Sequence, residues 1–146
     1  MPLVNSQYLD QILEEGSDDR RLRSGEVVPR WVLQRIKLLD EKDRSLVELH
    51  LSGASLNTAG RALGLSSGTA WRRLQRIMSR VRHPLVGALL DEHCTLPHEH
   101  RHVGVEYFLQ GRPARHIAER HQMNERHVKS ILAFLKIWHA ARGEKR

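Results

Sequence analysis

Arginine dominates the chemistry open to this chain. Five arginines and no acid lie between Ser66 and Arg82, at positions 72, 73, 76, 80 and 82. A guanidinium pairs with phosphate, and its fork can also bond the two acceptors on a guanine edge. Spacing gives these cations a direction. In a helix Gly68, Arg72, Gln75, Arg76 and Ser79 share one face, and Ala70, Leu74, Ile77 and Val81 share the opposite one. A helix that is basic outside and apolar inside is shaped to enter a DNA major groove. The other dense group is His93-Cys94, followed by His98-Glu99-His100-Arg101-His102. Zinc would need ligands converging tetrahedrally, and His98 and His102, one helical turn apart, could share an ion with Cys94. With one cysteine and no CxxC pair, a polar linker and helix start is the favoured reading, and no metal or cofactor is expected. No nucleophile elbow, phosphate-cradling loop or metalloprotease motif is present, so an enzyme is not expected either.

A short helix and a tight turn must position these arginines. Ser55 can cap a helix from Leu56 to about Leu63, with Leu56, Ala59, Gly60 and Leu63 on its buried side. Gly60 is small where two helices must cross closely. Gly64 accepts the positive φ that a turn needs. Leu65 plugs the corner, and Ser66 caps the arginine helix. The pattern is a helix-turn-helix. Ser67, Arg72, Gln75 and Arg76 are then placed to read base edges, and Arg61, Arg80 and Arg82 to hold phosphates. Trp71 lies at the edge of that helix and is expected to pack on the supporting helix or on arginine stems.

The segment Ser55–Arg76 resembles the helix-turn-helix of region 4 of bacterial sigma-70-type factors. Leu56, Ala59, Gly60, Leu63-Gly64-Leu65-Ser66, Ala70 and Leu74 carry the resemblance. In that family the second helix reads promoter DNA, so the resemblance implies a DNA-reading role here. The early positions of that helix differ, being Ser67, Gly68 and Thr69, and promoter specificity does not transfer with the fold.

Composition narrows the class. The chain of 146 residues has a net charge of +7, unevenly placed. Residues 1–26 carry three bases and six acids, leaving 21 bases and 11 acids for the rest. A basic body favours nucleic acid as partner. There is no apolar run of membrane-spanning length and no signal peptide, so a cytoplasmic, nucleoid-associated protein without membrane contact is expected. Little β-branched alternation argues for an all-α fold. Before the central segment, Asn5 or Ser6 can cap a helix running to about Glu15, and Asp18–Glu26 reads as a charged connection. Pro29 opens a helix with Trp31, Val32, Ile36 and Leu39 as its apolar stripe. Asp40 and Asp43 mark the start of a helix from Glu41 to Leu51. Leu85–Glu92 reads as a short apolar bridge.

The second half repeats the first. A shift of 58 residues places Val47-Glu48 on Val105-Glu106, Gly53 on Gly111, Leu65-Ser66 on Met123-Asn124, and Leu74 on Leu132, without a gap. Helices are therefore expected over Glu99–Gln110, Pro113–His121 and Asn124–Ala141. Gly111-Arg112-Pro113 matches the core of an AT-hook but sits where the repeat demands a turn. Arg126 and Ser130 would read bases and Lys129 a phosphate, although Glu125 opposes phosphate here. Later in that helix Phe134 and Ile137 point away from the domain core, and either intramolecular packing or a homodimer interface must cover them.

The whole reading is an all-α protein of tandem helix-turn-helix units: a helical extension over 1–39, units over 40–83 and 98–146, and a connector over 84–97. It would bind double-stranded DNA as a sequence-specific transcriptional regulator, in a form similar to those of phages and mobile elements. The alternatives are a phage late antiterminator or other RNA-polymerase-binding factor, and a DNA-packaging protein of the small-terminase kind.

Overall fold

The computed structural model describes residues 28–144. The first expected helix and the charged connection lie outside them. The described residues are helical and contain no strand. None of their helices is long and apolar enough to cross a membrane. The chain divides into two compact units, one ending at Arg82 and one running from His83 to Arg146.

Unit 1 holds α1 (Arg30–Ile36), α2 (Glu41–Leu51), α3 (Leu56–Ala62) and α4 (Ser67–Val81). α3 packs on α4, and α2 packs on both. Leu46, Val47, Ala59, Ala70, Leu74, Ile77 and Val81 are buried between them, as the helical spacing requires. Met78 joins this core too. Asp40 occupies the N-cap position of α2 but makes no side-chain cap bond. Ser55 and Ser66 do cap: each hydroxyl accepts from the backbone N–H three residues on, at 3.1 and 3.2 Å. Gly64 turns the chain at φ 76°. Gly60 is required by contact, since a Cβ there would lie 2.7 Å from the Leu65 carbonyl oxygen. That oxygen belongs to backbone and cannot swing aside.

α1 is more than an appendage. Val32, Ile36 and Leu39 are buried, and α1 packs on α4. Arg35 donates to the carbonyl of Val81 at 2.6 Å, placing a cation at the negative end of α4. Trp31 departs from the expected apolar stripe. It is 38% exposed, and its ring lies under the Arg35 guanidinium at 4.5 Å.

Unit 2 holds α5 (Pro84–Leu90), α6 (His98–Gly104), a π-helical segment (Val105–Leu109), α7 (Ala114–His121) and α8 (Glu125–Glu144). Residues 84–97, expected to be a connector, contain α5, whose Leu85, Val86 and Leu89 are buried. α5 packs on α6, the π segment and α8. An apolar face of this size is more stable inside a core than stretched between domains. His83 caps α5, its Nδ1 accepting from the Leu85 N–H at 3.1 Å. Burial first, and the neighbouring His139 second, hold His83 below the ordinary histidine value. That suits a ring nitrogen that must stay unprotonated to accept.

One continuous helix was expected from Glu99 to Gln110. Instead α6 widens into the π segment, closed by Gln110 N–H to Val105 carbonyl at 3.0 Å. The wider turn brings both Phe108 and Leu109 inward. The start of α7 lies 58 residues after that of α3, and the start of α8 lies 58 after that of α4. Positive φ recurs at the same offset: 104° at Gly53 and 75° at Gly111, 76° at Gly64 and 55° at Gln122. The corner bond recurs as well, Leu65 N–H to Gly60 carbonyl at 2.7 Å and Met123 N–H to Ala118 carbonyl at 2.8 Å.

Candidate nucleic-acid interface

α4 begins at a capped N-terminus and carries no acid. Its core side is occupied by Ala70, Leu74, Ile77, Met78 and Val81. The opposite side therefore faces solvent, and Gly68, Arg72, Gln75, Arg76 and Ser79 are all exposed there, with Ser67 beside them. From Gly68 to Arg76 this stripe rises about 12 Å at 1.5 Å per residue, comparable to the width of a major groove. Arg72 reaches back toward the Thr69 hydroxyl at 3.4 Å, which orients it along the stripe. Arg61, on α3, is exposed, as is Arg82 at the C-cap of α4.

Two arginines of α4 do different work. Asp43 is buried, with Arg73 Nε on its Oδ1 and Arg80 Nη2 on its Oδ2, each at 2.9 Å. The carboxylate ties α2 to α4 through a charge-assisted fork. Arg80 was expected on a phosphate. Its side chain is only 24% exposed and is held by Asp43, so its place is inside unit 1. A signal for this was present in the chain: Asp43, Leu46, Val47 and His50 fall on one helical face, and all four are buried. An acid at a core position of a helix needs a cation from a neighbouring one. Arg80→Ala is accordingly expected to cost about 1–2 kcal/mol of stability. It should leave the salt dependence of DNA binding nearly unchanged. A thermal melt and a salt titration check this. An unaltered melt with a salt slope lower by about one would restore the phosphate assignment.

Unit 2 presents a weaker version of this surface. Arg126 and Ser130 are exposed at the start of α8, and Asn124 accepts from the Arg126 backbone N–H at 2.8 Å. Lys129, expected on a phosphate, is exposed and paired with the exposed Glu125 at 3.1 Å, a weak surface pair that sets an acid beside it. Arg112 of the AT-hook-like triplet binds Glu106 at 3.0 Å and is only 18% exposed, and Gly111 supplies the turn. That triplet serves the fold.

Glu106 is the centre that sequence reading passed over. It is buried and bound by Arg112, by Arg120 at 3.1 Å, and by His121. Burial alone would raise its pKa. The His121 hydrogen bond and charge, with Arg112 and Arg120, outweigh that and hold the carboxyl below its ordinary value. The histidine-rich stretch forms no comparable centre. The rings of His98 and His102 lie tilted against each other, 4.1 Å between centroids, and His127 pairs with Glu99 at 3.2 Å. Among the described residues no three His, Cys, Asp or Glu side chains are grouped so as to hold a metal ion. A groove of about 570 Å³ lies here, lined by His98, Glu99, His102, Val103, His121 and Met123. No protein-family model matches the chain, and neither does any curated protein or solved structure.

Proposed function

We propose that this chain is a sequence-specific, double-stranded-DNA-binding regulator of transcription. On this reading α3 and α4 are a helix-turn-helix of the sigma region 4 kind, and α7 and α8 a second unit of the same plan. The observation that carries it is the outward stripe of α4. Arg72, Gln75 and Arg76 are exposed in line, with no acid on the helix, behind a capped N-terminus. Arginine can bond guanine O6 and N7 as a pair, and glutamine can do the same at adenine N6 and N7. Ser67 flanks these base readers. Arg61 and Arg82 are assigned to phosphates, and Arg126 and Ser130 to secondary contacts. The matching helix starts, left-handed residues and corner bonds support a tandem arrangement.

Selection of bound sequences from random duplex DNA, at one fixed salt concentration, tests this reading. Enrichment of a defined motif containing at least one guanine contact is the expected result. Binding with no enriched motif would leave only a general polyanion binder. A complex with RNA polymerase that forms without DNA would favour the antiterminator alternative.

A further inference from the structure

We infer that the groove of unit 2 is a binding site for a soft monovalent metal ion, copper(I), held by His98, His102 and Met123. This goes beyond DNA reading and does not depend on it. His98 and His102 lie one turn apart on α6, so they share a face. Both are exposed, and their ring centroids are 4.1 Å apart. A metal–imidazole bond is about 2 Å long, so rings this close can share one ion. Met123 lines the same groove. It sits at the corner before α8, held there by its N–H bond to the Ala118 carbonyl at 2.8 Å and by the left-handed Gln122 before it. The ion would therefore join α6 to the corner between α7 and α8.

The donor set decides which metal. Two imidazoles and a thioether suit copper(I), which is soft and is satisfied by few ligands. A zinc site draws on a further imidazole, thiolate or carboxylate, and among the described residues no third such group is placed to complete one. Glu99 and His121, the other ligand-type residues of the groove, are engaged by His127 and Glu106. The set is also particular to unit 2. At the offset of 58, His98, His102 and Met123 correspond to Asp40, Arg44 and Leu65, which offer neither imidazole nor sulfur. Leu65 serves the same corner in unit 1, so the fold of the corner does not itself require the sulfur of Met123.

Titration of the full chain with copper(I) tests this, without DNA, under anaerobic reducing conditions and in competition with a weak chromophoric copper(I) chelator. One ion per chain is expected to transfer to the protein. His98→Asn, His102→Asn and Met123→Leu should each raise the dissociation constant about tenfold or more, with unchanged far-UV spectra. Met123→Leu copies the corner of unit 1, so a loss of affinity there reports the sulfur and not the fold. Cys94→Ser, and His116→Asn at an exposed position of α7, should bind like the wild type. Equimolar zinc should not displace the copper. The inference is overturned if the ion stays on the chelator, or if any of the three groove variants binds like the wild type. It is equally overturned if Cys94→Ser or His116→Asn loses as much affinity as they do, or if zinc takes the site. Because DNA is absent, none of these outcomes bears on the proposed function.

Discussion

Replacing Glu106 with alanine is expected to unfold unit 2 at a temperature where unit 1 persists. Its carboxylate is 7% exposed, and it is the shared acceptor for Arg112, Arg120 and His121. Removing one partner of a buried ionic cluster typically costs about 3–5 kcal/mol. The low end applies here, since Arg120 and His121 are 47% and 35% exposed and can rehydrate. A unit of this size commonly has only about 3–10 kcal/mol in total, so a loss near 3 is a large share. Lowering the pH should act on the same group. A carboxyl held below its unfolded value of 4.5 contributes stability that is complete above that pH. That contribution is lost as the pH falls through the lower folded value. Calorimetry should therefore show unit 2 weakening below about pH 4.5 in the wild type. Glu106→Gln, which cannot ionise, should lack this phase. An alanine variant melting like the wild type would remove Glu106 from the account of what holds α6, α7 and the π segment together.

The second large effect concerns recognition. Arg76→Ala is expected to lose about 1–3 kcal/mol of affinity for the preferred duplex, and much less for random DNA. Arg76 is exposed on the outward stripe of α4, and on the proposed reading it contacts a base edge. Arg126→Ala should cost less, because the start of α8 also carries Glu125, beside Lys129, whose negative charge opposes phosphate. Fluorescence anisotropy on both DNAs, at several salt concentrations, separates these cases. Equal losses on the two DNAs would make Arg76 a phosphate contact. A larger loss for Arg126→Ala would move the reading surface to unit 2.

The sequence by itself determined the parts that depend on local chemistry. Caps at Ser55 and Ser66, the left-handed Gly64, the close approach at Gly60 and the inward set Ala70, Leu74, Ile77 and Val81 follow from short-range rules, and each was legible. So was the exposure of Phe134 and Ile137, because helical phase alone turns them away from the core. Tertiary structure decided whatever depends on a partner far along the chain. Asp43 is separated from Arg80 by 37 residues and Glu106 from His121 by 15. Helical phase puts Asp43 on the buried face of α2, but nothing local names the cation that will meet it. For the same reason Arg80 looked like a phosphate contact until Asp43 stood beside it. α5 looked like a connector because its apolar residues show a need for burial but not the surface that satisfies it. The π segment was hidden too: widening one turn is decided by how Phe108 and Leu109 fit the core, and side-chain spacing carries no record of that fit.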